Sequence, residues 1–313
     1  MSKLIVTGAT GFLGTQLIPA CMSQGYTVSP VQRRATGAAN TIVMDISPDS
    51  SWQPHLENVG VIIHCAGRAH VMSESAVDPI TEYRKVNTSG TLQLATQAAE
   101  AGVKRFIFIS SIKVNGEATE PGQPFTTKVE HPPEDPYGLS KYEAEHGLRL
   151  LAEQTGMEVV IIRPPLVYGP GVKANFASLI KLASKGLPLP LGAIENQRSM
   201  VFVGNLVDLI INCIRNPNAA NKTFLASDDD DLSTTQLLEG LASAMNKPSR
   251  LLPIPSSWLL TLTKLLGKPA IGQRLCGNLQ LDISDTKTCL GWKPPYSVAE
   301  GLKQTVTEAS RQK

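Results

Sequence analysis

Residues 7–14 read TGATGFLG and come directly after the apolar run Lys3-Leu-Ile-Val. Three glycines, Gly8, Gly11 and Gly14, fall within eight residues, where a short strand turns into a helix. A GxxGxxG loop at such a junction permits a tight turn, lets the backbone approach a pyrophosphate, and lets the helix pack closely on the strand. The helix that begins near Phe12 then aims its first N–H groups at bound phosphate. Taken alone, the loop is equally compatible with a merely structural strand–helix turn. The residues beyond it decide between the two.

Short apolar runs recur at Leu4–Thr7, Tyr26–Gln32, Ile42–Met44, Val59–Cys65, Arg105–Ser110 and Val159–Arg163. Between them lie stretches of helical periodicity, notably Pro79–Ala101 and Tyr137–Gln154. This alternation predicts βαβ units and a buried, doubly wound parallel sheet of the Rossmann type, an α/β fold. After about residue 165 prolines cluster, and helical segments remain at Asn175–Lys185, Asn205–Arg215 and Thr234–Met245. The division expected is a dinucleotide-binding domain over 1–165 and a smaller lobe over 166–313, with segments near 199–226 returning to the main sheet. Trp258–Leu266, WLLTLTKLL, reads as an amphipathic helix packed on a neighbour, with a peripheral membrane or partner contact as the alternative.

Composition narrows the partners. The chain has 313 residues, 42% hydrophobic and 18% charged, with a net charge of +2, which is too small for a polyanion-binding protein. No nucleic acid is expected, and no apolar run reaches the roughly 18 residues of a membrane span. Asp228–Asp231 reads as a solvated loop. Five cysteines at scattered positions, without CxxC spacing, suggest reduced thiols and no metal. Together with an N-terminus that runs straight into a strand, this makes the cytoplasm the expected location.

Two further stretches carry chemistry. After the second strand stand Gln32-Arg33-Arg34, where an NAD-selective site places a carboxylate for the adenosine ribose. Two guanidiniums there suit a 2′-phosphate, so NADP(H) is favoured and NAD(H) is the alternative; a solvated pair is the plain reading. Asp45 and Ile46 come after the third strand, in place to contact adenine. Tyr137-Gly-Leu-Ser-Lys141 is YxxxK, which puts phenol and ammonium on one helix face. A nearby ammonium is expected to favour tyrosinate and ready Tyr137 for proton exchange. Ser110-Ser111, ending the run FIFI, brings a hydroxyl to the same place. His64 reads as a packed histidine.

Taken together, TGATGFLG, the serine pair, YGLSK and RPPLVYGPG (163–171) resemble the extended short-chain dehydrogenases/reductases of the nucleotide-sugar epimerase kind. The likeness runs from residue 3 to about 305, where LGWKPP (290–295) is similar to that family's C-terminal signature. It implies Ser111, Tyr137 and Lys141 as catalytic residues. It implies a cofactor site of Gly8, Thr10, Gly11, Phe12, Leu13, Gly14, Arg33, Arg34, Asp45, Ile46, Ala66, Gly67, Asn87 and Pro164, shared with Tyr137 and Lys141. For a UDP-sugar it implies Ser110 and Ser111 at the sugar, Arg198 and Arg274 at the diphosphate, Leu189 against the nucleobase, and Asn175 at the diphosphate or sugar. Asp208 is read as a local brace. Pro165 stands where the family has an Asn. A homodimer through the YxxxK helix and the one before it is the family's habit.

A dehydratase of that family would carry Asp-Glu directly after the catalytic serine or threonine; this chain has Ile112-Lys113. Dehydration is therefore set aside, and hydride transfer at C4 of a UDP-hexose remains. The arginine pair favours single reduction of a UDP-4-keto-6-deoxy-N-acetylhexosamine. SSIKVNGE and RPPLVYGPGVKANF also resemble the bacterial UDP-N-acetylquinovosamine dehydrogenases, 4-keto reductases of surface-polysaccharide synthesis. The alternatives are a UDP-glucose or UDP-N-acetylglucosamine 4-epimerase and a non-catalytic dinucleotide-binding sensor or scaffold.

Overall fold

The computed structural model describes residues 3–35, 40–68 and 78–311. The main sheet contains β1 (Lys3–Thr7), β2 (Thr27–Gln32), β3 (Ile42–Val43), β4 (Val59–His64), β5 (Arg105–Ile109), β6 (Glu158–Arg163) and β9 (Lys222–Leu225). Its spatial order is β3-β2-β1-β4-β5-β6-β9, and every neighbouring pair is parallel. The helices that return the chain are α1 (Phe12–Ser23), α2 (Pro79–Tyr83), α3 (Thr91–Glu100) and α4 (Pro136–Thr155). A wider, π-type turn over Arg84–Gly90 joins α2 to α3, so 79–100 forms one continuous helical stretch.

Strand periodicity builds two apolar layers, because alternate side chains point to opposite faces. Leu4, Val6, Ile107, Ile109, Val160 and Ile162 join one cluster. Their neighbours Ile5, Phe106, Phe108, Val159 and Ile161 join the other. Burial on both faces explains why these strands read as unbroken apolar runs. The first cluster also reaches Phe202, Leu237 and Leu302, so the second lobe packs on one face of the sheet.

The second lobe contains β7 (Leu166–Tyr168), β8 (Met200–Phe202), α5 (Ala174–Ser184), α6 (Val203–Arg215), α7 (Thr234–Ala244), α8 (Ser256–Leu265), α9 (Pro269–Cys276), α10 (Ser284–Leu290) and α11 (Val298–Arg311). Strand β8 pairs with β7 in a separate two-stranded sheet, whereas β9 joins the main sheet beside β6. The acidic run is not a solvated loop. Asp228 is buried and accepts hydrogen bonds from the Tyr168 hydroxyl, the Asn205 amide and the Phe202 N–H at 2.7–2.8 Å. Asp231 accepts from Ser199 and Gln280, and Asp229 pairs with Lys287. Asp208 braces as expected, accepting from the Trp292 indole at 2.7 Å.

A buried ionic knot ties α4 to β5 and β6. Glu145 is fully buried and takes Arg163 Nε at 2.8 Å and Nη2 at 2.5 Å, with Ser110 Oγ at 2.6 Å and Arg149 Nη2 at 2.8 Å. Burial pushes this carboxyl up, but Arg163 and Ser110 outweigh it and hold it below the usual range. Arg163 is 1% exposed. Glu145→Ala strands that guanidinium, and removing one partner of such a pair costs about 3–5 kcal/mol. Urea denaturation of the variant is expected to show a loss of that size; a loss below about 1 kcal/mol would contradict the role given to the knot.

Candidate active site

The site lies at the carboxyl ends of β1 and β4, where the strand order reverses and parallel sheets bind ligands. Gly8 has φ +70°, and a Cβ on it would stand 2.9 Å from Ala66 N. A Cβ on Gly14 would run into Gly8 O. The turn after β1 therefore presses against both the end of β4 and the first turn of α1. Gly11 caps α1 without a side-chain hydrogen bond, and the first turn holds no acidic residue. These bare N–H groups and the cradle that a Cβ would fill suit a dinucleotide pyrophosphate.

The two strand ends are locked by a short polar chain. Thr7 Oγ1 accepts from Ala66 N at 3.1 Å and meets His64 Nδ1 at 2.8 Å, while His64 Nε2 meets Thr91 Oγ1 at 3.0 Å. Both ring nitrogens of His64 are thus partnered by threonine hydroxyls. Burial, helped by the Lys141 ammonium, lowers His64 to about 3, so the ring is neutral. It stacks on Phe108 at 5.9 Å. His64 is a packing residue, as its sequence context predicts.

The proton-handling residues meet above this floor. Asp135 caps α4 by accepting from Gly138 N at 2.8 Å, with Pro136 in the first turn. Lys113, in the position of the missing dehydratase carboxylate, pairs with Glu117 at 2.8 Å and Asp135 at 3.2 Å, which fastens the serine loop to the start of α4. Tyr137 and Ser111 are hydrogen-bonded to each other. The ring of Tyr137 also lies edge-on to Tyr83 at 5.9 Å.

Lys141 is engaged with strand β5. Its Nζ donates to Ile109 O at 3.0 Å and sits 4.4 Å from the Phe108 ring centre. Burial pushes Tyr137 up to about 12, against the lowering effect of Ser111. The phenol is therefore a proton donor at neutral pH, and the expectation of a tyrosinate is corrected. The ammonium is bonded to the β5 backbone. A Cβ on Gly67 would stand 3.2 Å from Lys141 Nζ and 3.1 Å from Asn87 Oδ1. Asn87, in the π-type turn, accepts from Arg68 N at 2.8 Å and donates to Ser140 Oγ at 3.0 Å. It ties the segment after β4 to α4.

The remaining candidates divide. Arg33 and Arg34 are exposed beyond β2, and Ala9 N bonds Val31 O at 3.2 Å, so the pair lies alongside the glycine turn. Thr10, Phe12 and Leu13 lie in that turn and the start of α1. Asp45 is exposed and accepts from Ile46 N, while Ile46 is buried under Gly90. Pro164 is buried at the end of β6, its carbonyl accepting from Ile112 N at 3.0 Å. Ser110 is the exception at the serine pair: its hydroxyl is spent on Glu145, so only Ser111 faces Tyr137. In the second lobe Arg198 Nη1 donates to Gly277 O at 2.9 Å, directly after α9, which carries the exposed Arg274. Leu189 is half-buried and bridges to Leu251. Asn175 starts α5, and its side chain lies outside the described residues. No cluster of three metal-ligating side chains occurs among the described residues. Glu145 and the Thr7–His64–Thr91 chain escape a motif search, because each joins residues far apart in the chain.

Glycine loop, serine, tyrosine and lysine come together as in an enzyme of the extended short-chain dehydrogenase/reductase class. The chain belongs to the NAD dependent epimerase/dehydratase family, whose model matches residues 4–226. It is 52% identical over 308 residues to a UDP-glucose 4-epimerase of Vibrio cholerae, a match covering 97% of this chain and 94% of that one. Among solved structures it superposes on the UDP-N-acetylglucosamine 4-epimerase of Bacillus cereus, with TM-score 0.80, 20% identity and 98% and 99% of the two chains covered. It also superposes on the UDP-glucose 4-epimerase of Thermotoga maritima with UDP-glucose, at TM-score 0.75, 24% identity and 99% of each chain. The extended short-chain resemblance read from the motifs is thereby borne out.

The environment of Lys141 sets a pH dependence. Burial lowers it from 10.5 to about 8. In this range the unfolded chain binds a proton that the folded one has lost, so stability rises as pH goes from about 8 to 10.5. Below pH 8 the buried ammonium is a standing penalty. Lys141→Met is expected to raise the thermal midpoint of the ligand-free protein at pH 7, with a gain that shrinks toward pH 10.5. Scanning calorimetry across that range checks this; a gain independent of pH would contradict it.

Proposed function

We propose that the protein is an NAD(P)-dependent 4-epimerase of a UDP-hexose, with UDP-glucose and UDP-galactose as the reacting pair. The observation that carries this reading is the 52% identity, over nearly all of both chains, to the Vibrio cholerae UDP-glucose 4-epimerase. It moves the epimerase ahead of the reductase that Arg33 and Arg34 suggest. The intact Ser111–Tyr137 pair supports catalysis over a sensor or scaffold role.

The nicotinamide of the cofactor supplies hydride chemistry at C4. The glycine turn, the first turn of α1 and the 65–67 segment are the groups that would hold it, with Asn87 and Lys141 bracing that segment. The residues of this chain then manage the proton. Tyr137 Oη, as phenolate, takes the proton of the C4 hydroxyl when C4 is oxidised and, as phenol, gives it back to the C4 oxygen when C4 is reduced, and the Ser111 hydroxyl beside Tyr137 holds that oxygen in reach. A tyrosine held near 12 is almost wholly phenol at neutral pH, so little phenolate is present to act as a base, and a positive charge brought beside it lowers it toward working pH. Elimination lacks its acid, since Lys113 stands in that position and is engaged with Asp135 and Glu117. Arg198 and Arg274 are the proposed diphosphate grip, two guanidiniums suited to bidentate contact. Leu189 is the proposed wall for the nucleobase.

Incubated with UDP-glucose and a trace of cofactor, the wild type is expected to form UDP-galactose, seen by proton NMR, without net change in near-ultraviolet cofactor absorbance. Tyr137→Phe is expected to slow this by roughly 10²–10⁴-fold, the usual worth of a positioned proton transfer. Near-normal turnover would remove Tyr137 from the mechanism.

The second reading, single reduction of a UDP-4-keto-6-deoxy-N-acetylhexosamine by NADPH, rests on the exposed arginine pair beside the glycine turn. If Arg33 or Arg34 grips a 2′-phosphate, its change to Ala weakens NADPH by about 10–150-fold and leaves NADH nearly untouched. Titration of both cofactors on wild type and the two variants tests this. Net NADPH consumption on the keto sugar, with no inversion of UDP-glucose, would put the reductase first.

A further inference from the structure

Helix α8 buries only one edge. Leu259 is buried and Thr263 half-buried, and α9 packs closely there: a Cβ on Gly272 would run into Thr263 Oγ1. A second stripe, at Trp258, Leu262, Leu265 and Leu266, has the i, i+4, i+7, i+8 spacing of one helix face. These side chains are 70%, 52%, 80% and 65% exposed. Seven of the thirteen exposed large hydrophobic side chains among the described residues fall between Leu252 and Ile271. The packing expected for WLLTLTKLL is therefore present on one edge, and an equally apolar face is left over.

Cations predominate around that face. From Gly240 to Leu281 the chain has five lysines and arginines and no aspartate or glutamate. Arg250, Lys264, Lys268 and Arg274 are exposed, with no ion-pair partner among the described residues. The adjoining 187–192 segment, hydrogen-bonded to 250–252, adds the exposed Leu187 and no carboxylate. The exposed Glu195 follows Ala193, which bridges to Pro255 at the start of α8, and is outnumbered by the four exposed cations; a leucine and tryptophan stripe with such a cationic excess is the pattern of a helix lying in a membrane interface. Tryptophan favours that depth, and lysines beside it are drawn to anionic headgroups. A second copy of the chain fits this face poorly, because pairing it with itself sets Lys264 and Lys268 against like charges. No described helix is long and apolar enough to cross a membrane, so the contact is one of surface docking.

We propose that the α8–α9 hairpin docks the protein on an anionic lipid bilayer, with Trp258, Leu262 and Leu265 inserted at the interface and Lys264 and Lys268 on the headgroups. The hairpin adjoins the substrate lobe, since Arg198 bonds Gly277 at the end of α9. Docking thus holds that lobe to the bilayer surface.

The test is co-sedimentation of the full chain with phosphatidylcholine vesicles, with and without about 30% phosphatidylglycerol, at about 50 mM and about 500 mM salt. Binding is expected with the anionic vesicles at low salt and is expected to weaken at high salt. Trp258 reports directly, because Trp52 and Trp292 are buried; its emission is expected to shift to the blue. Each lysine near an anionic surface is worth about fivefold in partition, so Lys264→Ser with Lys268→Ser is expected to weaken binding about 25-fold. Leu262→Ser with Leu265→Ser is expected to abolish it. Both double variants change exposed residues only, and unchanged melting and turnover on a free nucleotide sugar verify their fold. No binding to anionic vesicles, or binding that neither variant reduces, overturns the proposal. So does a dimer that Leu262→Ser with Leu265→Ser dissociates, since the face would then belong to a second copy.

Discussion

The close approach of Gly8 to Ala66 is the contact on which the rest of the site depends. It brings the turn after β1 against the segment after β4, at the place where the strand order reverses. Thr7, His64 and Thr91 lock the two strand ends from below, with His64 kept neutral by burial. Thr91 opens α3, directly after the turn whose Asn87 reaches Arg68 and Ser140. One continuous set of contacts therefore runs from the glycine loop to the helix carrying Tyr137 and Lys141. Displacing any part of it moves the cofactor cradle relative to the proton-handling pair.

Charge is managed differently at successive turns of the buried face of α4. Lys141 lies under the site, bonded to a backbone carbonyl and lowered by burial. One turn further on, Glu145 anchors the helix to Arg163 and to Ser110. The serine pair is thereby split between two jobs: Ser110 holds the strand end to the helix, and Ser111 meets Tyr137. Anchoring of this kind keeps the Ser111 and Tyr137 hydroxyls in fixed relation, which is what the proposed proton transfer requires.

Much of this architecture was legible in the sequence. The unbroken apolar runs announced a sheet buried on both faces, and YxxxK over 137–141 placed Tyr137 and Lys141 on one face of a helix. The features that escaped depend on pairing across long sequence distances. Strands β7 and β8 are three residues each and pair Leu166 with Met200, too short and too distant for a periodic pattern. The run Asp228–Asp231 resembles a solvated loop until Tyr168 and Asn205 are brought to Asp228. The state of Tyr137 is set by burial, a tertiary property, whereas the spacing to Lys141 conveys only which helix face they share. Helix α8 has the apolar period of a packed helix, yet only its Leu259 edge is covered.

The function proposed for these features is that of an enzyme that handles one proton at Tyr137, beside a dinucleotide cradle, with the second lobe taking the nucleotide of its substrate. The central claim is inversion at C4 with the hydrogen of that carbon conserved. It is tested most directly with UDP-glucose deuterated at C4, with the UDP-galactose formed read by NMR. The deuterium is predicted to be retained at C4 of the inverted sugar. Inverted product that has lost the label to water, or no inversion at all, would contradict the claim.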